Sequence, residues 1–293
     1  MLGAGGLRDE GGLRGCSRCG NSESSQAPAR LRPRRQMAEL FVWPAVIAYS
    51  EAVIAYGGSF RGHGISGRAA IWGVRIGWLA QTALLVVQAL DTDGFPWGTW
   101  AGALNLLAWL LVSAYLIWGC KPGYRMLGLA VMPPALLLLV LAWAGGGTGI
   151  DDGNHSGALL AVHVALMLAG FAALTLAAGM AGLYLWEERR LKVRDSRLLR
   201  WRVPPLASLD RLAGRTTLAA LVFLTIGILF GLSRLQRGSF DATMAGALVI
   251  WGFFTVVLVL RREVGLGGRR AAFATLAGFA LVLVVLPITH FAS

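Results

Sequence analysis

Eight apolar runs, separated by short polar segments, constrain this chain more than any other feature of its sequence. A helix needs about 20 apolar residues to cross the hydrocarbon core of a bilayer, and lipid cannot satisfy free backbone groups, so a single apolar run crosses it as a helix. The runs lie at about 38–57, 70–90, 97–119, 124–144, 158–186, 214–233, 242–260 and 270–291. We therefore predict an all-α, polytopic membrane helix bundle with about eight transmembrane helices.

The composition and the charges agree with this class and indicate a topology. Only 14% of the 293 residues are charged, whereas a soluble domain carries about 25%. Basic residues of membrane proteins collect in cytoplasmic loops. Here they occupy alternate loops, namely 58–69, 120–125, 187–215 and 261–270, whereas the loops 91–96 and 145–157 hold aspartates and no base. We expect a multi-pass protein of the cell (plasma or inner) membrane with both chain ends outside.

This topology also explains the net charge of +12 without nucleic acid as a partner; the partner it implies is the lipid bilayer. Two basic residues, Arg234 and Arg237, depart from the rule because they fall in an outward loop.

The first 36 residues differ from the rest of the chain. Residues 1–36 are rich in Gly, Arg and Ser and contain no apolar run, which is typical of a disordered segment. We expect a basic extension there, with Met37 as an alternative start, and a single transmembrane domain over 37–293. Cys16 and Cys19 form a C-x-x-C pair, which suits a metal or a redox-active disulfide, although a chance occurrence is the simpler interpretation in such a segment.

Two of the four histidines are candidate ligands of a metal or a cofactor. His163 lies near the start of the fifth run and His290 at the end of the eighth, and the predicted topology sets both on the outer side. Imidazole binds haem iron, copper and zinc, and two opposed imidazoles complete a six-coordinate haem iron. The alternative is that each ring only hydrogen-bonds at a helix end. No nucleotide-binding or hydrolase motif accompanies them, so the sequence indicates no clear catalytic residues.

The residues around these histidines resemble the cytochrome c assembly family of haem-handling membrane proteins, the CcsA, CcmC and HemX type. The resemblance is carried by His163-Val164 and, at the other end of the same run, by the segment 184–192, Tyr-Leu-Trp-Glu-Glu-Arg-Arg-Leu-Lys. It continues through 204–212, 227–231 and 267–279 to His290. It covers 158–293 by motif and 38–144 by hydropathy and order of the runs.

The resemblance implies a site. In the family, two outer histidines hold haem beside an outer Trp-Asp-Pro-Lys segment; here His163 and His290 match the histidines, Asp241 matches the aspartate, and Phe240 stands for a tryptophan. Some members carry two further histidines inside the membrane, and the corresponding residues here are Gln81 and Leu260. The HemX-like branch is therefore favoured. The resemblance also implies apocytochrome c and other maturation subunits as partners.

Elementary chemistry supports a haem site at the outer face. Haem is an apolar disc with two carboxylates; Arg234 and Arg237 suit the propionates, and Trp97, Trp100 and Phe240 suit the disc, unless these aromatic residues only form an interfacial belt. We expect non-covalent, b-type haem, handled or delivered at the outer face for cytochrome c biogenesis. Two alternatives are a regulator or scaffold of haem biosynthesis acting through the basic loops, and a transporter of another small solute.

Overall fold

The computed structural model describes residues 31–59, 67–91, 97–119, 127–149, 158–193, 205–232 and 242–291. Within these ranges the chain forms eight α-helices and no strand, and all eight helices are long and apolar enough to cross a membrane. This confirms the predicted fold class. The helices are α1 (Leu31–Ser59), α2 (Gly67–Asp91), α3 (Trp100–Gly119), α4 (Leu127–Ala144), α5 (Ala158–Lys192), α6 (Leu206–Leu232), α7 (Ala242–Glu263) and α8 (Gly268–Phe291).

Three helices extend beyond the predicted apolar runs by more than a helical turn. Helix α6 begins at Leu206, well before the predicted 214, because its polar first turns still bury Leu209 and hold Asp210 against a neighbouring helix. Helix α5 continues to Lys192, with bases in its last turn. The helix dipole stabilises cations at that end. Helix α1 begins at Leu31, so it includes the last residues of the predicted extension; residues 1–30 lie outside the described residues.

Consecutive helices run antiparallel, as side-chain contacts within two of the pairs show, because residue numbers rise along one helix while they fall along the other. In α2 and α3, Trp78 donates to Ser113 and Trp109 donates to Thr82; in α6 and α7, Arg261 reaches Asp210 and Trp251 reaches Thr225. We call the end formed by the starts of α1, α3, α5 and α7 the histidine end, because α5 begins and α8 ends there with His163 and His290. The opposite end is the Arg-rich end, with the bases Arg189, Arg190, Arg262, Arg269 and Arg270.

Helix α5 lies between the two halves of the bundle, since it packs against α3, α4, α6 and α8. One hydrophobic core joins α1–α4 to α5 and the start of α6 around Tyr49, Tyr115 and Met180. A second core joins α5–α8 around Leu174 and Phe254. Between 28% and 44% of each span is buried inside the protein, so the remaining apolar surface is left for lipid.

Candidate functional site

His163 makes one specific hydrogen bond, which fixes the chemistry of its ring. It lies in the second turn of α5 and is half-buried against α6, where its Nδ1 donates to the backbone carbonyl of Gly227 over 2.6 Å. A carbonyl oxygen carries no proton, so the hydrogen of this bond belongs to Nδ1. In the neutral ring, Nε2 therefore keeps its lone pair, which is the state of a metal-ligating histidine.

Two glycines of α6 let α5 approach closely at and beside this ring. Gly227 and Gly231 lie one helical turn apart, and a Cβ at Gly231 would lie 2.9 Å from Cε1 and 3.3 Å from Nδ1 of His163. A Cβ at Gly227 would lie 2.9 Å from Sδ of Met167. Small residues of this spacing let membrane helices approach closely. The sequence resemblance covers both glycines, but only the structure shows that Gly231 packs against His163 and Gly227 against Met167.

His290 lies level with His163 by helix register. It belongs to the last turn of α8, and its side chain lies outside the part of the chain whose side chains are described. Near the Arg-rich end Ala181 packs with Ala272, and near the middle Leu174 and Phe171 pack with Val282. His163 precedes Ala181 by as many residues as His290 follows Ala272. Because the two helices are antiparallel, the two histidines reach the same depth at the histidine end.

Four predicted site residues lie outside the described residues. Arg234, Arg237, Phe240 and Asp241 belong to the segment between Leu232, where α6 ends, and Ala242, where α7 begins. Both of these helix ends belong to the histidine end, and the segment starts two residues after Gly231, the glycine that packs against His163. That these four side chains lie near His163 stays a prediction.

The two predicted tryptophans lie at the start of α3. Trp97 precedes the helix and is half-buried, and Trp100 begins it and is 54% exposed. The Trp100 indole covers Gly145 in the turn after α4, where a Cβ would lie 2.6 Å from its ring. Trp43 and Trp143 meet edge to face at the same end of the bundle, with ring centroids 5.2 Å apart. Trp100 is thus placed among aromatic residues of the α1–α4 half, as in an interfacial belt.

Gln81, which stands at a predicted inner ligand position, belongs to a buried hydrogen-bonded chain. Tyr49 donates its hydroxyl to Gln81 Oε1 over 2.8 Å, and Gln81 Nε2 donates to Asn105 Oδ1 over 3.0 Å. Asn105 Nδ2 donates to Gln88 Oε1 over 3.2 Å. Gln88 Nε2 then donates to the carbonyls of Gly147 and Gly149 in the turn after α4. We call these residues (Tyr49, Gln81, Asn105, Gln88 and the turn 145–149) the amide chain. Its four side chains are at most 1% exposed.

The second inner position is separate from the amide chain. Leu260 is 39% exposed on α7, and α7 packs against α6 and α8, whereas α2 packs against α1 and α3. Gln81 and Leu260 therefore do not form one site. Gln81 was singled out from the sequence, whereas Gln88 and Asn105 were not. Amide side chains within apolar runs could have indicated them, because polar groups inside a membrane need partners.

The donor set at the histidine end suits haem better than a bare metal ion. Among the described residues, no three His, Cys, Asp or Glu side chains gather where they could hold a metal, and a zinc site takes at least three protein ligands. Haem iron takes only one or two axial ligands from the protein. One oriented imidazole Nε2, with a second histidine at the same depth, meets that requirement.

At the Arg-rich end an ion pair joins α6 to α7. Arg261 Nη2 lies 2.7 Å from Asp210 Oδ1 and also donates to the Asp210 carbonyl over 2.8 Å. Both side chains are largely removed from solvent, with 11% and 26% of their surfaces exposed. Asp210 is part of the Leu-Asp motif on which the resemblance rests, and its contact indicates a structural role.

Comparison with known proteins agrees with the resemblance. The family model of the cytochrome C assembly protein matches residues 97–291. Protein HemX of Bacillus subtilis (strain 168) is 22% identical over 82% of this chain and 90% of the relative. The cytochrome c biogenesis protein CcsA of Prochlorococcus marinus (strain MIT 9303) is 24% identical over 70% and 76%, and that of Mesostigma viride is 27% identical over 69% and 76%.

The chain is a multi-pass membrane protein, and it belongs to the cytochrome c assembly protein family. Its relatives include both HemX and CcsA proteins at similar identity, so the choice of the HemX-like branch stays a prediction.

Proposed function

We propose that this protein binds haem non-covalently at its histidine end and handles or delivers it during cytochrome c biogenesis. The observation that carries the proposal is the hydrogen bond from His163 Nδ1 to the Gly227 carbonyl, which in the neutral ring leaves the Nε2 lone pair available to a ligand. The family membership supports haem as the cofactor or cargo.

His163 and His290 are the proposed axial ligands. Antiparallel packing of α5 and α8 supports this pairing, because it brings the two residues to the same depth. Their two imidazoles would hold the haem iron there and stabilise it in the low-spin state. Arg234 and Arg237 would pair with the propionates, Asp241 would orient the segment 233–241, and Phe240, Trp97 and Trp100 would contribute apolar surface.

The HemX-like branch is the proposed placement within the family. The support is that neither inner position can ligate iron well: Gln81 is engaged by Tyr49 and Asn105, and Leu260 carries no ligand atom. A chain of this kind would hold haem at one end only. Apocytochrome c and other maturation subunits are the proposed partners on that side.

The histidine end is proposed to face outward from the plasma or inner membrane. Its support is the concentration of bases at the opposite end, as the positive-inside rule requires. A topology reporter fused after Arg200 should read cytoplasmic, and one fused after Ser293 should read external. The reverse reading at either site would contradict this orientation.

A second candidate function rests on the exposed bases of the Arg-rich end. Arg189, Arg190, Arg262, Arg269 and Arg270 are all exposed there. Such a surface attracts acidic partners or anionic lipids, which suits a regulator or scaffold of haem biosynthesis. A regulator of this kind would need no haem of its own, so a haem spectrum separates the two functions.

The test is the absorption spectrum of the purified protein with haem. The unaltered protein should show a six-coordinate low-spin spectrum. His163→Ala and His290→Ala should each give a five-coordinate spectrum or no bound haem, because each removes one axial ligand. The control is His155→Ala, which removes an imidazole in the segment before α5 and should leave the spectrum unchanged. Binding that survives loss of both proposed ligands but fails with His155→Ala would contradict the assignment.

A further inference from the structure

The last two turns of α6 contact the His163 ring at two points. One is the Gly227 carbonyl, which accepts the Nδ1 hydrogen over 2.6 Å. The other is the bare Cα of Gly231, since a Cβ there would approach Cε1, Nδ1 and Nε2 at 2.9, 3.3 and 3.8 Å. The Cε1 atom of the ring therefore lies against Gly231, while its Nδ1 reaches the carbonyl one turn earlier.

These two contacts depend on each other. The Gly227 carbonyl belongs to the helical backbone of α6, and a carbonyl oxygen has two lone pairs, so it can accept from a backbone amide and from His163 together. The imidazole reaches it only because no side chain at position 231 stands in the way. Any larger residue there would push the ring from the carbonyl and turn Nε2 away from its present direction.

We propose that Gly231 and the Gly227 carbonyl are positioning elements for haem ligation: they fix the direction of the His163 Nε2 lone pair and strengthen it as a ligand. This inference rests on the proposed function. A histidine that donates from its second nitrogen to a carbonyl is a more basic ligand, and loss of such a partner typically weakens metal binding roughly 10- to 100-fold. A more basic ligand favours ferric over ferrous iron, so the contact lowers the reduction potential.

In the sequence, most of the other proposed haem contacts follow Gly231 closely. Helix α6 ends at Leu232, next to Gly231, and the segment 233–241 with its two arginines and Asp241 follows directly. The same helix end that orients the ligand therefore sets where that segment begins.

The main test compares two glycine variants of the full-length purified protein. Gly231→Ala places a methyl group against the His163 ring, and we expect roughly 10- to 100-fold weaker haem binding, partial loss of the low-spin spectrum and a more positive reduction potential. The matched control is Gly182→Ala in α5, where a Cβ meets nothing within 4 Å. It should leave affinity, spectrum and potential unchanged. Equal affinity and potential in the two variants would overturn the proposal.

A second variant separates positioning from folding. Replacing the histidine by its Nδ1-methylated analogue, His163→Nδ-methylhistidine, keeps Nε2 and removes the donated hydrogen. The reduction potential should rise as in Gly231→Ala, which a role in packing alone would not produce; an unchanged potential would overturn the proposal. If His163→Ala binds haem as tightly as the unaltered protein, the proposed function itself fails, and this inference fails with it.

Discussion

The two halves of the bundle use polar side chains of their helices in opposite ways. In α1–α4, the amide chain is closed: each of its side chains donates to or accepts from the next, and it ends on the carbonyls of Gly147 and Gly149. In α5–α8, His163 donates from Nδ1 to the Gly227 carbonyl, and in the neutral ring its Nε2 keeps a lone pair. A saturated polar network stabilises a fold, whereas an oriented group with remaining binding capacity is available for a ligand.

The largest loss of stability is expected from a change in the turn 145–149, where the amide chain ends. A Cβ at Gly147 would overlap the backbone of Ala101 and Gly102, which cannot move aside as a side chain can. We expect Gly147→Ala to lower the free energy of unfolding by about 3 kcal/mol, measured as a fall in Tm in detergent. Gly182→Ala is the control and should leave Tm unchanged or slightly raised. A Tm of Gly147→Ala equal to that of the control would refute the close contact.

A smaller effect is expected within the amide chain itself. Gln81→Leu keeps a similar volume but leaves the Tyr49 hydroxyl and Asn105 Oδ1 without their present partner in a place that water does not reach. Each unsatisfied group costs about 1–3 kcal/mol, partly offset by rearrangement, so we expect a loss of about 2 kcal/mol. Thermal unfolding measures it, with the lipid-facing Leu79→Ala as a control. Unchanged stability would show that the chain is not a structural network.

The eight helices could be predicted because crossing a bilayer imposes a length and an apolar composition that few soluble segments meet. The start of α6 could not, since Asp210, Arg211 and Arg215 make its first turns polar, and the burial of Leu209 and the contact of Asp210 with Arg261 explain why they are helical. Hydropathy measures solvation along one chain segment, whereas this helix start is fixed by a neighbouring helix.

Part of the candidate site, the pair of histidines, could also be predicted from the sequence. Two histidines at the same end of the bundle follow from topology and numbering alone. The contacts of His163 with the Gly227 carbonyl and with Gly231 do not follow from the sequence. A pair of glycines one turn apart indicates that something packs closely there, but not which side chain does. The amide chain was missed apart from Gln81, since pairing Gln88 with Asn105 requires the register of α2 against α3.

The most direct test of haem binding through His163 compares one variant from each half of the bundle. The haem-to-protein ratio and the reduced-minus-oxidised spectrum are measured for His163→Ala and Gln81→Leu, both purified as full-length protein. We expect Gln81→Leu to retain the haem content and low-spin spectrum of the unaltered protein despite its lower Tm, and His163→Ala to lose both. Loss of haem from Gln81→Leu with retention in His163→Ala would place the haem site in α1–α4 and contradict the account.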